Sequence, residues 1–374
     1  MRVLALNAGS SSLKFRLFEN ETMLAHGLFE KIGHNSVNTF FSEKQEIKNQ
    51  KTIKNHHEAI LYLMKLLEEN ELSFEAIGHR VVHGGDKYQK SVLIKQNVIN
   101  DIDRFAQLAP LHNPANLMVI KICQKLFPKL PNIAVFDTAF HQTIDQSEYL
   151  YAIPRKYWHK KVRKYGFHGI SHQYLSEEIT KLTKARKIIT CHLGNGCSVT
   201  AINNGSSIAT SMGFTPNSGL IMGTRCGDID AMIIPYLMDY YPLEEIKVNL
   251  NRQSGLLALS EKSNDLRDII SDLDDEKCAL ALQKLVTSIV NYIAMYHVLL
   301  DGAEAIVFSG GMGENSALLR KRVLEKLRIL QIEINPLANQ KHQFLITTEQ
   351  SAIASYVLKT DEELMIAREV MKLI

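Results

Sequence analysis

The sequence predicts an α/β protein made of two related halves. Short apolar strands are interspersed with helices of amphipathic spacing along the chain, and a strand–turn–strand pattern at the N-terminus recurs about half a chain later. The length, 374 residues, suits two domains better than one compact core.

The elements follow in order. Arg2–Leu6 is short and β-favouring, Asn7–Ser12 is turn chemistry, and Leu13, Phe15 and Leu17 then alternate with Lys14 and Arg16. His57–Leu67 carries Ile60, Leu63, Met64 and Leu67 at helical spacing. The loop-rich stretch Thr138–Pro154 is where a domain boundary is expected. Lys187–Thr190 leads into Leu193-Gly194-Asn195-Gly196, and Ser198–Ile202 resumes a strand. Asn195 and Gly196 both tolerate positive φ, the chemistry of a hairpin turn. Ala279–Leu300 is apolar but interrupted by Gln283, Lys284, Ser288, Asn291 and His297, which reads as a core helix and not a membrane span. Ala305–Phe308 reads as a buried strand, Ser309–Gly313 as a loop, and Glu314–Leu330 as a helix. The last segment opens on Thr360-Asp361-Glu362-Glu363, read as a capping box from Thr360 to Glu363.

Composition narrows the function classes. Lys and Arg number 43 against 40 Asp and Glu, so the formal net charge is only +3 and no basic stripe points to nucleic acid. The N-terminus lacks the apolar core of a signal peptide. The five cysteines include no CxxC pair, which implies neither a zinc site nor a disulfide framework and fits a reducing, cytoplasmic compartment.

Phosphate binding needs backbone N–H groups that point inward, and Gly and Ser let the chain approach closely. Asn7–Ser12 alone reads equally as a surface turn, but three Gly-rich turns at strand ends point to a cleft for a polyphosphate. Arg80, in a strand that runs into a glycine turn, and Arg225, framed by Gly223 and Gly227, are candidates to clamp a transferring phosphoryl group. Asp137 closes an apolar strand and Glu362 starts the last helix; these are the carboxylates considered for magnesium, although Glu362 serves the helix dipole equally well. His79/His83 and His168/His172 have i,i+4 spacing, but the glycines and β-branched residues around them argue against a helix, and no HExxH is present.

Taken together, the motifs resemble the acetate kinase family, within the superfamily of acetate and sugar kinases and actin. The matching strings are NAGSSSLKF (Asn7–Phe15), GHRVVHGG (Gly78–Gly85), APLHNP (Ala109–Pro114), VFDTAFH (Val135–His141) and YGFHG-x-SH (Tyr165–His172). They continue with HLGNG (His192–Gly196), SMGFTP (Ser211–Pro216), GTR-x-GD (Gly223–Asp228), GGMGENS (Gly310–Ser316) and EELMIAR (Glu362–Arg368). They stand in family order and cover nearly the whole chain. Departures are Ile170 for the usual Thr, Asn217-Ser218 after Pro216, Ala209 before Thr210, Asp361 for Asn, and a trimmed stretch around Ser36–Lys51.

The resemblance implies two duplicated ribonuclease-H-like (actin-like ATPase) domains with a nucleotide cleft between them, at residues 1–147 with 363–374 returning, and 148–362. It implies reversible phosphoryl transfer between ATP and acetate, giving acetyl phosphate and ADP, with Mg2+ (or Mn2+) and usually as a homodimer. Asn7 and Glu362 match the metal positions; Asp137, Arg80, Arg225 and His168 match the catalytic ones. Arg80, Val82, Leu111, Phe167 and Pro216 correspond to the carboxylate pocket, with His112 lining the site. On the nucleotide side the matches are Lys14, His192, Leu193, Gly194, Asn195 and Gly196, then Asp265, Leu266 and Arg267, then Gly310, Gly311, Met312, Gly313, Glu314 and Asn315. The rivals are propionate or another short-chain carboxylate as substrate, and a non-catalytic actin-like nucleotide switch.

Overall fold

The computed structural model describes residues 1–110 and 112–374. Leu111, expected in the carboxylate pocket, lies outside the described residues. The chain divides into two compact units, Met1–Gln142 with Asp361–Ile374, and Thr143–Thr360. These divisions fall a few residues from the expected 147/148 and 362/363, and they put Glu362 in the first unit.

The first unit contains β1 (Arg2–Ala8), β2 (Ser12–Glu19), β3 (Thr22–Glu30), β4 (Val37–Ser42), β5 (Glu46–Asn49), β6 (Ala76–Val81), β7 (Val92–Leu93) and β8 (Asn132–Phe136). They form one sheet in the order β5-β4-β3-β2-β1-β6-β8-β7. The run from β1 to β5 is antiparallel, whereas β1, β6 and β8 pair in parallel. Alternation explains one face of β1 and β2: Leu4, Leu6, Leu13, Phe15 and Leu17 join Phe29 and Phe40 in one core with Ile60 and Leu63. The latter two lie on the helix His56–Glu69, whose first turn is capped by Asn55 accepting from Glu58 N–H at 2.9 Å.

The C-terminal helix, Glu362–Leu373, packs on β1, β2 and β6. Its cap is not the expected Thr360–Glu363 box. Asp361 is the N-cap, accepting from Leu364 N–H at 2.9 Å, because Glu363 is wholly buried in ion pairs.

The second unit has β9 (Lys187–Leu193), β10 (Cys197–Asn203), β11 (Ser206–Thr210), β12 (Ala305–Ser309) and β13 (Ala354–Val357), in the order β11-β10-β9-β12-β13. The pairing senses, antiparallel, antiparallel, parallel, parallel, repeat those of β3-β2-β1-β6-β8 in the first unit. The duplication expected from the two hairpins is therefore present as topology. The helix Glu276–Leu299 is long and apolar enough to cross a membrane by length and composition. It packs against β10, and Leu282, Leu285, Ile289 and Ile293 are fully buried.

Two local expectations are corrected. Ser309–Gly313 is not a loop: Gly310–Asn315 is a short helix, and Ala317–Lys326 a second one. His172 lies inside the helix Gly169–Thr183, so glycine at its first position did not prevent helix formation. Gly169 occupies a helix end, where the conformational cost of glycine is least felt.

Strand β6 buries His79, whose Nε2 donates to Asn132 Oδ1 at 2.8 Å, and His83 follows it, also buried. Burial lowers the His79 pKa to about 4 against the opposing bond to Asn132, and burial lowers His83 to about 4 as well. In the unfolded chain both titrate near 6.5, so it binds more protons as acid is added. Stability is intact above pH ~6.5, falls as the pH drops, and levels off below pH ~4, by roughly 3 kcal/mol per ring. Urea unfolding of His79→Gln at pH 7 and pH 4.5 should show a clearly smaller acid loss than the parent; an equal loss would remove His79 as a source.

Candidate active site

In the first unit the ends of β1, β6 and β8 bring Asn7, Arg80 and Asp137 together. Arg80 Nε donates to Asp137 Oδ1 and Oδ2 at 3.3 and 3.1 Å, and Nη2 closes the pair. Its Nη1 donates to Asn7 Oδ1 at 3.1 Å. Glu362 Oε2 stands 4.0 Å from Arg80 Nε. Burial works against the Arg80 charge, but Asp137 and Glu362 outweigh it and raise its pKa above the ordinary guanidinium value. Three of the expected residues, Asn7, Asp137 and Glu362, therefore meet around the guanidinium of a fourth, Arg80.

Below them lies a residue that the sequence reading passed over. Glu363 is 0% exposed, with Lys14 Nζ at 2.7 Å and Arg16 Nε at 3.7 Å from its Oε2. Arg16 also pairs with Asp361, and Asn7 Nδ2 is 3.5 Å from Glu363 Oε1. Lys14, expected on the nucleotide side, is thus engaged by a carboxylate of its own unit. The available signal was the alternation of Lys14 and Arg16 on one face of β2; assigning Glu363 to a cap hid its partner.

The segment after β6 is held by buried asparagines. Val82 N–H donates to Asn116 Oδ1 at 3.2 Å, Asn116 Nδ2 donates to Ala8 O at 2.7 Å, and Asn113 exchanges two bonds with the His83 backbone. These satisfy backbone groups beyond the ladder and fix Val82, which is buried. His112 immediately precedes the helix Asn113–Leu126.

The second unit holds the other residues. His168 has a left-handed backbone (φ 57°), uncommon for a residue with a Cβ. Its Nδ1 is 2.9 Å from Ser198 Oγ, and its ring centroid is 4.3 Å from that of His192. His192 Nδ1 is 2.8 Å from Ser171 Oγ, which in turn meets Thr360 Oγ1 at 2.8 Å. Phe167 is buried and Pro216 partly so, the latter accepting from Arg225 Nη1 at 3.1 Å. Burial lowers the Arg225 pKa, and among the described residues no carboxylate pairs with it. A Cβ on Gly196 would sit 3.4 Å from both Arg225 Nη1 and His168 Nε2, so this glycine keeps open a small space that both groups border.

A cavity of about 790 Å³ lies in the same unit. Of the expected nucleotide residues, Gly194, Asn195, Asp265, Leu266, Arg267, Gly311, Met312 and Asn315 line it. Ile270, Ala317, Leu318, Gln340 and His342 line it too and were not anticipated, because they come from helices and a turn without glycine motifs. His192, Leu193, Gly196, Gly310, Gly313 and Glu314 do not reach its wall. Gly310 has φ 75° and lies against the Leu193 carbonyl, where a Cβ would come within 2.7 Å. Arg320, wholly buried, donates to the carbonyls of Gly313 and Glu314 at 2.7 and 2.8 Å and ties down the end of the glycine helix.

A duplicated β-sheet core, with a glycine-bordered cavity and an arginine that lacks an anionic partner among the described residues, defines a phosphotransferase of the actin-like ATPase fold. The comparisons with known proteins agree. The Acetokinase family profile matches residues 2–368. An acetate kinase from Bacillus mycoides is 45% identical over all of this chain and 98% of its own length. Among solved structures, a propionate kinase from Francisella tularensis superposes with TM-score 0.95 at 41% identity, covering 100% of both chains. A Porphyromonas gingivalis acetate kinase superposes at 0.92 with 35% identity, covering 100% of this chain and 99% of that one. The chain belongs to the Acetokinase family.

Glu314 Oε1 accepts from Gly310 N–H at 2.9 Å and from Thr360 N–H at 3.3 Å, so its carboxylate ties the start of the glycine helix to the segment before Asp361. Glu314→Ala should destabilise the protein by about 1–3 kcal/mol by orphaning these donors. Glu314→Gln retains an acceptor and should lose less; equal urea midpoints for the two variants would show that the bonds contribute nothing.

Proposed function

We propose that the chain catalyses reversible transfer of the terminal phosphoryl group of ATP to acetate, giving acetyl phosphate and ADP. The observation that carries this is Arg225: a partly buried guanidinium with no carboxylate partner among the described residues, sharing with His168 Nε2 the space beside Gly196. Such a group is suited to an incoming anion. A short carboxylic acid titrates near 4–5 and is ionised at pH 7, so the acceptor needs no general base. Catalysis then consists of aligning two anions and cancelling their repulsion.

In this reading Arg225 and Arg80 bind the carboxylate and the transferring phosphoryl, His168 donates to a phosphoryl oxygen, and Asp137 holds the Arg80 fork. Val82, Phe167 and Pro216 are the apolar side chains assigned to the methyl group. The cavity lined by Asp265, Leu266 and Arg267 takes the nucleoside, and Gly194, Asn195, Gly311, Met312 and Asn315 its phosphate side.

Magnesium fits the donors present. Asn7 and Glu362 offer hard oxygen ligands beside the same guanidinium, and no group of three or more His, Cys, Asp or Glu gathers as a protein cage among the described residues. That suits an ion that keeps waters and binds phosphate oxygens. When bound, it would neutralise charge on those oxygens.

A cytoplasmic homodimer completes the proposal. Support for self-association is the exposed apolar set Met232, Tyr236, Tyr240, Tyr241 and Val248 on and around the helices Ile233–Met238 and Leu243–Arg252. Propionate is the second reading, favoured by the likeness to the Francisella tularensis propionate kinase.

The test is acyl phosphate formed from ATP and magnesium and trapped with hydroxylamine, using acetate, propionate and butyrate. The largest yield is expected with acetate, falling with chain length; no product from folded protein would overturn the kinase reading. Arg225→Ala and Arg80→Ala should each cut turnover by roughly 10³–10⁵. A variant that keeps half its activity would remove that arginine from the clamp.

A further inference from the structure

His172 is wholly buried in the helix Gly169–Thr183, and both of its ring nitrogens meet hydroxyls. Nδ1 is 2.7 Å from Thr190 Oγ1 on β9, and Nε2 is 2.7 Å from Ser198 Oγ on β10. The same Ser198 oxygen is 2.9 Å from His168 Nδ1. Thr190, His172, Ser198 and His168 are thus linked in series by hydrogen bonds, and Thr190 and Ser198 are as buried as His172.

With neutral rings three proton orders satisfy every link, since each hydroxyl carries one hydrogen and each neutral imidazole one N–H; the one in which Ser198 accepts from both rings strands its own buried hydrogen, which leaves two. In one, the Thr190 hydroxyl donates to His172 Nδ1, His172 Nε2–H donates to Ser198, and Ser198 donates to His168 Nδ1. His168 then carries its proton on Nε2. The other order runs in reverse and puts the His168 proton on Nδ1. The two differ at the buried end. Among the described residues the Thr190 hydroxyl meets only His172. The reverse order would leave its hydrogen with no acceptor at a wholly buried position, whereas the forward order leaves only spare lone pairs. Buried donors without acceptors are the costlier defect.

We propose that His172, acting through Ser198, is a positioning residue that fixes His168 as the neutral Nε2–H tautomer. That nitrogen borders the space beside Gly196 which Arg225 Nη1 also borders. His168 therefore presents a donor, not a lone pair, to an anion held there. The inference rests on the reading of His168 as a phosphoryl-facing group and adds what orients its proton. The tautomer is set by a threonine on the next strand, away from the reacting atoms.

The decisive measurement is long-range ¹H–¹⁵N correlation of the ¹⁵N-labelled protein, with His168 identified by the signals lost in His168→Gln. The forward order predicts an unprotonated Nδ1 and a protonated Nε2 at pH 7. A protonated Nδ1, alone or together with Nε2, would overturn the proposal without any variant. Ser198→Ala cuts the chain next to His168; it should mix the tautomers and lower kcat about 10–100-fold while both KM values stay within about threefold. His172→Gln, which keeps an amide donor, should retain more turnover than His172→Ala. Unaltered kcat and tautomer in Ser198→Ala would refute the relay. A folded parent protein that forms no acyl phosphate would instead overturn the kinase reading, and with it the catalytic meaning of the relay, whatever tautomer the ring adopts.

Discussion

The burial of Glu363 between Lys14 and Arg16 is the constraint on which the candidate residues of the first unit depend. A carboxylate wholly out of water is tolerated only when cations and donors surround it. Here they come from β2, while the carboxylate comes from the C-terminal helix, so the last dozen residues of the chain are fastened to its first hairpin. The neighbouring residue Glu362 is thereby brought to Arg80 and Asn7. Asn7, Arg80 and Glu362 are thus held together beside one buried carboxylate.

The two arginines are prepared differently. Arg80 is saturated by Asp137 and Asn7 and keeps its charge firmly, so its position is fixed before any ligand arrives. Arg225 rests on the Pro216 carbonyl and the Met222 sulfur, which orient it without neutralising it. In the proposed reaction, a preorganised fork and an uncompensated one would be complementary ways of meeting an anion. The first limits reorganisation; the second gains most from binding.

Around His168 and His172 the second unit is built on hydroxyls instead of charges. Thr190 and Ser198 lie on β9 and β10, whose antiparallel register sets Ser198 opposite His192 and Thr190 opposite Thr200. Successive inward positions of a hairpin therefore carry hydroxyls, and the helix Gly169–Thr183 lays His172 against them. Hydroxyls can donate or accept, which lets one buried chain transmit a proton order from its closed end to His168.

Much of this was legible in the residues. The α/β class, both hairpins, the core helix and the family followed from periodicity, turn chemistry and ordered motifs, because these are local properties of the chain. Arg80, Asp137, Arg225 and His168 stood out because glycine or strand-end chemistry marks them locally. Glu363 did not, since its partners lie some 350 residues away and its spacing imitates a capping box. Nor did His172, whose i,i+4 spacing to His168 was set aside as non-helical, or Ile270, Gln340 and His342, which reach the cavity from segments with no motif. The sequence alone determined which chemistry is present and the order in which its elements occur. Tertiary structure alone decided which charges are matched, which arginine is left open, and which way a buried proton chain runs. Those depend on the company that side chains keep after burial, and residues distant along the chain supply that company.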